Sequence, residues 1–388
     1  MPSRPPAPSS AGPPRPLRLV HVDTETGFSG GEAQVVGLVE GLRARGHACV
    51  VAGPADGALA ARGRELGWDW RDFRAASDMD VLAVLRLVRL LRSVGCDLAH
   101  LHTGRGAWIG GLAARLAKVP CVVTRRQDKR LAGSPKRRLL YRHLATASVG
   151  ISPGVTEQLL AAGAPAGRVA TIWSAVDPAR LQPREAAGAV RERLGVGAGD
   201  LLVVSTARLV RRKGLDVLLE ALTRLRTSRS VTVALAGDGP ERAALEERAR
   251  AASSPPARRA LVLGSVADVG SLLAAADLFV LPSRAEGLGV AALEAMALGR
   301  AVVATDVGGL GQAVHDAGRL VPPDDPAALA AAIDRLADDP REAALLGERA
   351  ALRASRVFGF DVQVERYIAL YRRIVAGDPE PGAALGPA

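Results

Sequence analysis

Two carboxylates, Glu286 and Glu294, bracket the run EGLGVAALE eight residues apart. On a helix that is a little over two turns, which sets both on nearly the same face. The strand-like LFVLPS (278–283) comes just before, and Gly287 and Gly289 mark the entry of a helix that Glu286 precedes and Glu294 lies inside. A helix start offers unpaired N–H groups and the positive end of the dipole, so it seats an anion. One acid beside a phosphate seat and another a turn deeper suit a polyhydroxylated ligand that carries phosphate, such as a sugar nucleotide. Taken alone, the same pair also fits a solvated helix face.

Arg208 and Lys213 lie past the strand-like LLVVSTA, with four residues between them and a glycine after the lysine. A cation pair at a strand end can neutralise a diphosphate and stabilise its growing charge as it departs. A basic surface turn is the competing account, because Arg211 and Arg212 crowd the same loop. In the first half, Gly30 and Gly31 precede a helical stretch and let backbone approach a phosphate or an acceptor closely. Glu32 follows at once, where pairing with the helix N-terminus is the plain alternative. Asp23 and Glu25 end the first strand and suit an acceptor hydroxyl or its base. His102 ends HLH.

Strand–helix alternation, run through twice, must position these groups. LRLVHVD, HACVVAG, CDLAHLH and PCVVT read as strands in the first half, with helices over AQVVGLVEGLRARG, 81–91 and 108–117. After a Pro/Arg/Gly-rich stretch (181–200), LLVVSTA, VTVALAG, LVLGSV, LFVLPS and AVVATD are strands, with helices over GLDVLLEALTRL and ERAALEERARA. This βαβ rhythm predicts two doubly wound α/β domains with parallel sheets, and a cleft between their strand ends. A last helix over 361–375 crosses back to the first domain.

At 388 residues the chain exceeds one core, and 48% hydrophobic content fills two. Only 3% of residues are aromatic, which argues against stacking platforms for nucleic acid. The net charge of +11 is confined to the front: residues 17–180 hold 23 Lys and Arg against 14 Asp and Glu, two arginines precede them, and the rest balances at 26 against 26. Within that excess, Arg125 to Arg142 holds eight basic residues and one acid, suited to an anionic membrane, an anionic acceptor or plain solvation. Cys49, Cys96 and Cys121 have no metal-type spacing, and their odd number predicts reduced core thiols in a cytoplasmic protein. No run is apolar for long enough to span a membrane, and the Pro/Ser-rich start has no signal core.

TARLVRRKGLDVLLEAL, AGDGPERAALE and AAADLFVLPSRAEGLGVAALEAMALGRAVVATDVGG together resemble the group 4 retaining glycosyltransferases of the GT-B fold, the glycosyl transferases group 1. DTETGFSGGEAQ, HLHTGRG and LATASVGISPGVTEQL look like that family's acceptor-domain landmarks, so the resemblance spans roughly residues 17–375. It implies a Pro-rich leader (1–16), an acceptor-binding domain (17–182), a nucleotide-sugar domain (183–357), a returning helix (358–375) and a flexible tail (376–388). It also implies that Arg208 and Lys213, with Gly30 and Gly31, contact the donor diphosphate. Glu294 would hold the ribose, Glu286 would meet the donor sugar, and the backbone amides of Gly287, Leu288, Gly289 and Val290 would face the sugar hydroxyls and phosphates. His102 would be a neutral hydrogen-bonding group near that sugar. The family's acid falls two positions after the second glycine, which leaves Glu32 outside the pattern.

The expectation is therefore retaining transfer from a nucleoside-diphosphate sugar to a glycan, a lipid-linked or another small acceptor in envelope synthesis. No metal or other cofactor is expected and no nucleic-acid partner, with peripheral contact to the inner face of the plasma membrane through the basic run. A sugar-nucleotide epimerase and a catalytically silent nucleotide-sugar-binding protein share this fold. A dinucleotide dehydrogenase fits less well, since Gly237-Asp238-Gly239 lacks a third glycine.

Overall fold

The computed structural model describes residues 15–126, 134–254 and 256–383. Most of the leader and the last five residues of the tail thus lie outside the described residues.

The first sheet comprises β1 (Arg18–Val22), β2 (Ala48–Gly53), β3 (Asp69–Asp72), β4 (Leu98–Leu101), β5 (Cys121–Arg125), β6 (Ala147–Gly150) and β7 (Val169–Thr171). Its spatial order is β3-β2-β1-β4-β5-β6-β7, every pair parallel. The second comprises β8 (Leu201–Thr206), β9 (Val231–Ala236), β10 (Arg258–Gly264), β11 (Leu278–Leu281), β12 (Ala301–Thr305) and β13 (Arg319–Val321), ordered β10-β9-β8-β11-β12-β13 and again parallel. Crossover helices cover both faces of each sheet, so the central strands read as unbroken apolar runs such as LLVVST and LFVL. Two apolar clusters enclose each sheet.

Strand order reverses between β1 and β4 in one sheet and between β8 and β11 in the other. At such a switch point the two flanking loops part in opposite directions and leave a crevice at the strands' carboxyl ends. The candidate residues follow the strands that flank these two crevices or, like Glu294, lie in the helix that begins there.

The last helix, Phe360–Val375, packs on the first sheet's core and buries Val364, Tyr367, Leu370 and Tyr371 there. Its partner helix, Gly30–Ala44, makes room with glycines four apart: a methyl at Gly37 would fall 1.9 Å from the Phe360 ring, and one at Gly41 2.5 Å from Val364. The three cysteines are free and buried, and burial pushes their thiols up to about 11 or 12. The stretch 181–200 is more than a connector, since it includes the helix Ala187–Arg193. Among the described residues no helix is long and apolar enough to cross a membrane.

Candidate active site

On the second sheet, Arg208 follows the carboxyl end of β8, while Ser283 and Glu286 follow that of the neighbouring β11. Arg208 and Glu294 line one cavity of about 470 Å³ together with Thr206, Gly237, Ser265 and Val266. Glu294 also lines the adjoining cavity of about 610 Å³, which reaches across to Ser29, Gly30 and Gln34 of the first domain. Burial pushes the Glu294 carboxyl up to about 7, and Arg180, a lining residue of the same cavity, pulls it the other way.

The two acids do not share a helix face. The helix begins only at Val290, and Gly289, at φ +81°, turns the chain into it, so Glu286 stays in the loop four residues earlier. Its carboxylate is bonded to the Lys213 ammonium and accepts from the Ser283 hydroxyl at 3.2 Å. Lys213 sits in a single turn, Arg211–Lys213, held to the β11 loop where the Arg284 N–H donates to the Arg212 carbonyl at 2.8 Å. Leu288 is not a ligand-facing side chain; it is 2% exposed in the core. The Val290 and Ala291 N–H groups precede the helical ladder, which starts where the Ala292 N–H donates to the Gly289 carbonyl at 2.8 Å, and these two residues line the larger and the smaller cavity respectively.

On the first sheet, Asp23, His102 and Arg126 each directly follow one of the adjacent strands β1, β4 and β5. Asp23 is 2% exposed; burial raises its carboxyl to about 6, although it accepts the Glu25 N–H at 2.9 Å. Glu25 itself is exposed. Gly30 and Gly31 open the helix Gly30–Ala44, and Glu32 closes a capping box by accepting the Ser29 N–H, which gives it the plain structural role.

His102 does not stand alone. The β1–β4 register sets His21 opposite His100, and the alternation of the strand adds His102 on the same face. His102 Nε2 lies 3.0 Å from His21 Nδ1, and its Nδ1 lies 3.3 Å from Arg126 Nη2. A guanidinium only donates. His102 Nδ1 therefore accepts, its proton sits on Nε2 and goes to His21, and the proton of His21 is left on Nε2, buried without a partner. Both ring nitrogens of His102 thus have partners within the protein. His100 is bonded on both sides too, to Tyr371 at 2.6 Å and Thr124 at 2.7 Å. Burial drives all three imidazoles well below their ordinary range, His21 to about 3, and keeps them neutral. Their ligand atoms lie within 4.8 Å of one another. The guanidinium alongside makes that cluster a hydrogen-bonding chain rather than a seat for another cation.

The basic run is not one face. The Arg126 guanidinium is buried against His102, with Nε and Nη1 unpartnered among the described residues, residues 127–133 lie outside these, and Lys136 is bonded to Asp78. Arg126, His21 and Gln34 went unnoticed in the sequence. For His21 and His100 the signal was present, as histidines on two apolar strands, but their meeting depends on sheet order.

Residues 200–339 match the family model described as glycosyl transferases group 1, and residues 28–180 that of glycosyltransferase family 4. The chain is 30% identical to the alpha-maltose-1-phosphate synthase of Mycobacterium tuberculosis, over 75% of its own length and 82% of that protein. It is 29% identical to the alpha-D-kanosaminyltransferase of Streptomyces kanamyceticus, over 74% and 79%. Among solved structures, Anabaena HepE in complex with UDP-glucose superposes with a TM-score of 0.76 at 23% identity, over 93% of this chain and all of that one.

Proposed function

The chain belongs to the group 1 glycosyl transferases of the GT-B fold, and from that premise we propose that it moves a sugar, with retention, from a nucleoside-diphosphate donor held at β8 and β11 to an acceptor held by the first sheet. It is a glycosyltransferase. The observation that carries the donor assignment is the pair of adjoining cavities that share Glu294: one lined by Arg208, the other by Gly30. A structural neighbour with bound UDP-glucose supports a nucleotide-sugar donor.

In this reading the ribose hydroxyls donate to Glu294, and Arg208 and Lys213 neutralise the diphosphate, with Gly30 and Gly31 closing on it from the other domain. Glu286, with the backbone from Gly287 to Val290, orients the sugar. Charge stabilisation falls to these side chains, and the reaction asks for no metal. The bond between the anomeric carbon and the phosphate oxygen breaks, the acceptor oxygen bonds to that carbon on the same face, and its proton passes to the departing phosphate. Asp23, at the end of β1, takes the acceptor hydroxyl in this reading, and its raised carboxyl suits a hydrogen-bonding role. Domain closure excludes water, which would otherwise hydrolyse the donor. A place at the cytoplasmic face of the membrane, in envelope glycan or glycolipid synthesis, completes the proposal.

A panel of nucleotide sugars, read by thermal shift with Glu294→Ala beside wild type, tests the donor site. At least one should stabilise the wild type alone; no response, or equal responses, overturns it. The anomeric configuration of the product decides retention.

A further inference from the structure

Four large apolar side chains stand exposed within seven residues: Met79 at 83%, Val81 at 66%, Leu82 at 70% and Leu85 at 42%. They occupy the turn before the helix Val81–Val94 and its first turns. The core already takes one face of that helix, with Ala83, Val84, Leu87, Val88 and Leu91 buried. Leu82, Leu85, Arg86 and Arg89 follow the i, i+3, i+4, i+7 spacing and form a second face in water, apolar at its start and cationic further on. Among the described residues nothing covers it, and a contiguous exposed apolar patch ringed by polar groups marks an interaction surface.

The rim of the patch is basic on balance, with Arg86, Arg89, Arg105, Lys136 and Arg137 against Asp78 and Asp80, and Arg86 lies 3.9 Å from Asp80. Lys136 bonds to the Asp78 carboxylate and lies 4.8 Å over the Trp108 ring, whose Nε1 donates to the Asp78 carbonyl at 2.9 Å. These contacts fix the short helix Pro135–Leu139 beside Met79, adding Lys136, Arg137 and the exposed Leu139. Arg105 reaches Asp78 at 4.0 Å and donates to the Ala75 carbonyl at 3.2 Å, which ties the Met79 loop to the helix that begins just after His102. The patch therefore lies at the carboxyl-end edge of the first sheet, the edge that carries Asp23 and His102.

We propose that this patch docks the protein on an anionic bilayer. Met79, Val81, Leu82 and Leu85 enter the boundary between headgroups and acyl chains, while Arg86, Arg89 and Arg137 face the lipid phosphates and Lys136, paired with Asp78, holds the flanking helix in place. Charge complementarity selects this occupant over a second copy of the chain, because a two-fold contact would set like cations against each other. So docked, the first domain presents its side of the cleft to the membrane, and the acceptor is a lipid-borne hydroxyl compound. That last step rests on the transfer proposed above; the docking does not.

Flotation of the full chain with phosphatidylcholine vesicles, with and without phosphatidylglycerol, tests the docking. Wild type should float with the anionic vesicles only, and less in high salt. The triple variant Met79→Ser, Leu82→Ser, Leu85→Ser should lose at least about tenfold in partitioning, with its melting temperature and its thermal response to nucleotide sugars unchanged. Wild type left in the aqueous fractions, or a variant that floats equally well, overturns the proposal. So does a variant whose only change is a smaller mass in light scattering, which would assign the patch to self-association. Flotation that holds while no nucleotide sugar stabilises the protein would sink the transfer reading alone.

Discussion

The Lys213 ammonium is bonded to the Glu286 carboxylate, two side chains 11% and 9% exposed that meet across 73 residues of chain. The proposed phosphate cation and the proposed sugar carboxylate thus satisfy each other. A buried ion pair is costly to break unless new partners replace the old ones. An arriving diphosphate is such a partner for Lys213, and it frees Glu286 for the sugar. Glu286→Gln should then bind a nucleoside diphosphate at least as tightly as wild type, while transfer falls by roughly 10²–10³ through loss of the carboxylate at the reacting sugar. Calorimetry and initial rates measure the two separately. Parallel loss of both would mean that the pair is only scaffold. Lys213→Ala strands a buried carboxylate and should cost roughly 3–5 kcal/mol in urea unfolding.

Glu294 makes donor affinity and stability respond to pH in opposite senses. Burial raises its carboxyl to about 7, so on titration upward the unfolded chain releases this proton first. Its contribution to stability is therefore full below the ordinary carboxyl range and lost as pH rises through 7. Ribose hydroxyls donate, and so favour the ionised form that appears over the same interval. Nucleotide affinity should rise about tenfold between pH 6 and 8. Glu294→Gln should flatten that rise and bind weakly at both values. A wild type with no pH dependence here would remove Glu294 from the ribose.

Much of this was legible without coordinates, for reasons that individual residues make plain. Strands buried on both faces leave continuous apolar runs, so β8 and β11 were readable, and with them the loops of Arg208 and Glu286. The edge strand β3, DWRD, is largely exposed and has no such signature. Gly287 and Gly289 marked the helix entry correctly, with Glu286 before it and Glu294 inside, and Gly289 at positive φ is the residue that turns the chain into that helix. The Lys213–Glu286 pair and the histidine chain need two loops or two strands brought side by side, and no local periodicity encodes that. Arg126 was hidden for a related reason: as one member of a basic run it looked like surface, whereas the end of β5 turns it inward.

Gln34 is expected to be a joint rather than a ligand. Its side chain accepts the Ala175 N–H at 2.7 Å and donates to the Ala175 carbonyl at 2.6 Å, while Gln363 donates to its oxygen and to the Trp173 carbonyl. One amide from the first helix and one from the last thus clamp the strand that leads out of β7 toward the second domain. Gln34→Leu leaves both Ala175 groups buried and unpaired, at about 1–3 kcal/mol each. Chemical denaturation should show that loss, and Gln34→Glu should recover only part of it, because a carboxylate accepts but cannot donate to the carbonyl.

Two glycines separate a fold requirement from a ligand requirement. Gly214 follows Lys213 at φ +62°, and a methyl there would fall 1.9 Å from the Pro282 carbonyl oxygen, which is backbone and cannot swing aside. Gly214→Ala must push the β11 loop from the Lys213 turn and part Lys213 from Glu286. A stability loss of about 1–3 kcal/mol from overpacking is expected. A displacement of roughly 1 Å at the reacting sugar is enough for about a hundredfold loss in turnover. At Gly30, by contrast, an added methyl meets nothing within 4 Å. Gly30→Ala should fold and melt as wild type does, yet weaken the donor, because the methyl would occupy space that the diphosphate needs against the helix start. If Gly30→Ala transfers normally, the first domain does not close on the phosphate through this loop, and Arg208 and Lys213 hold it alone.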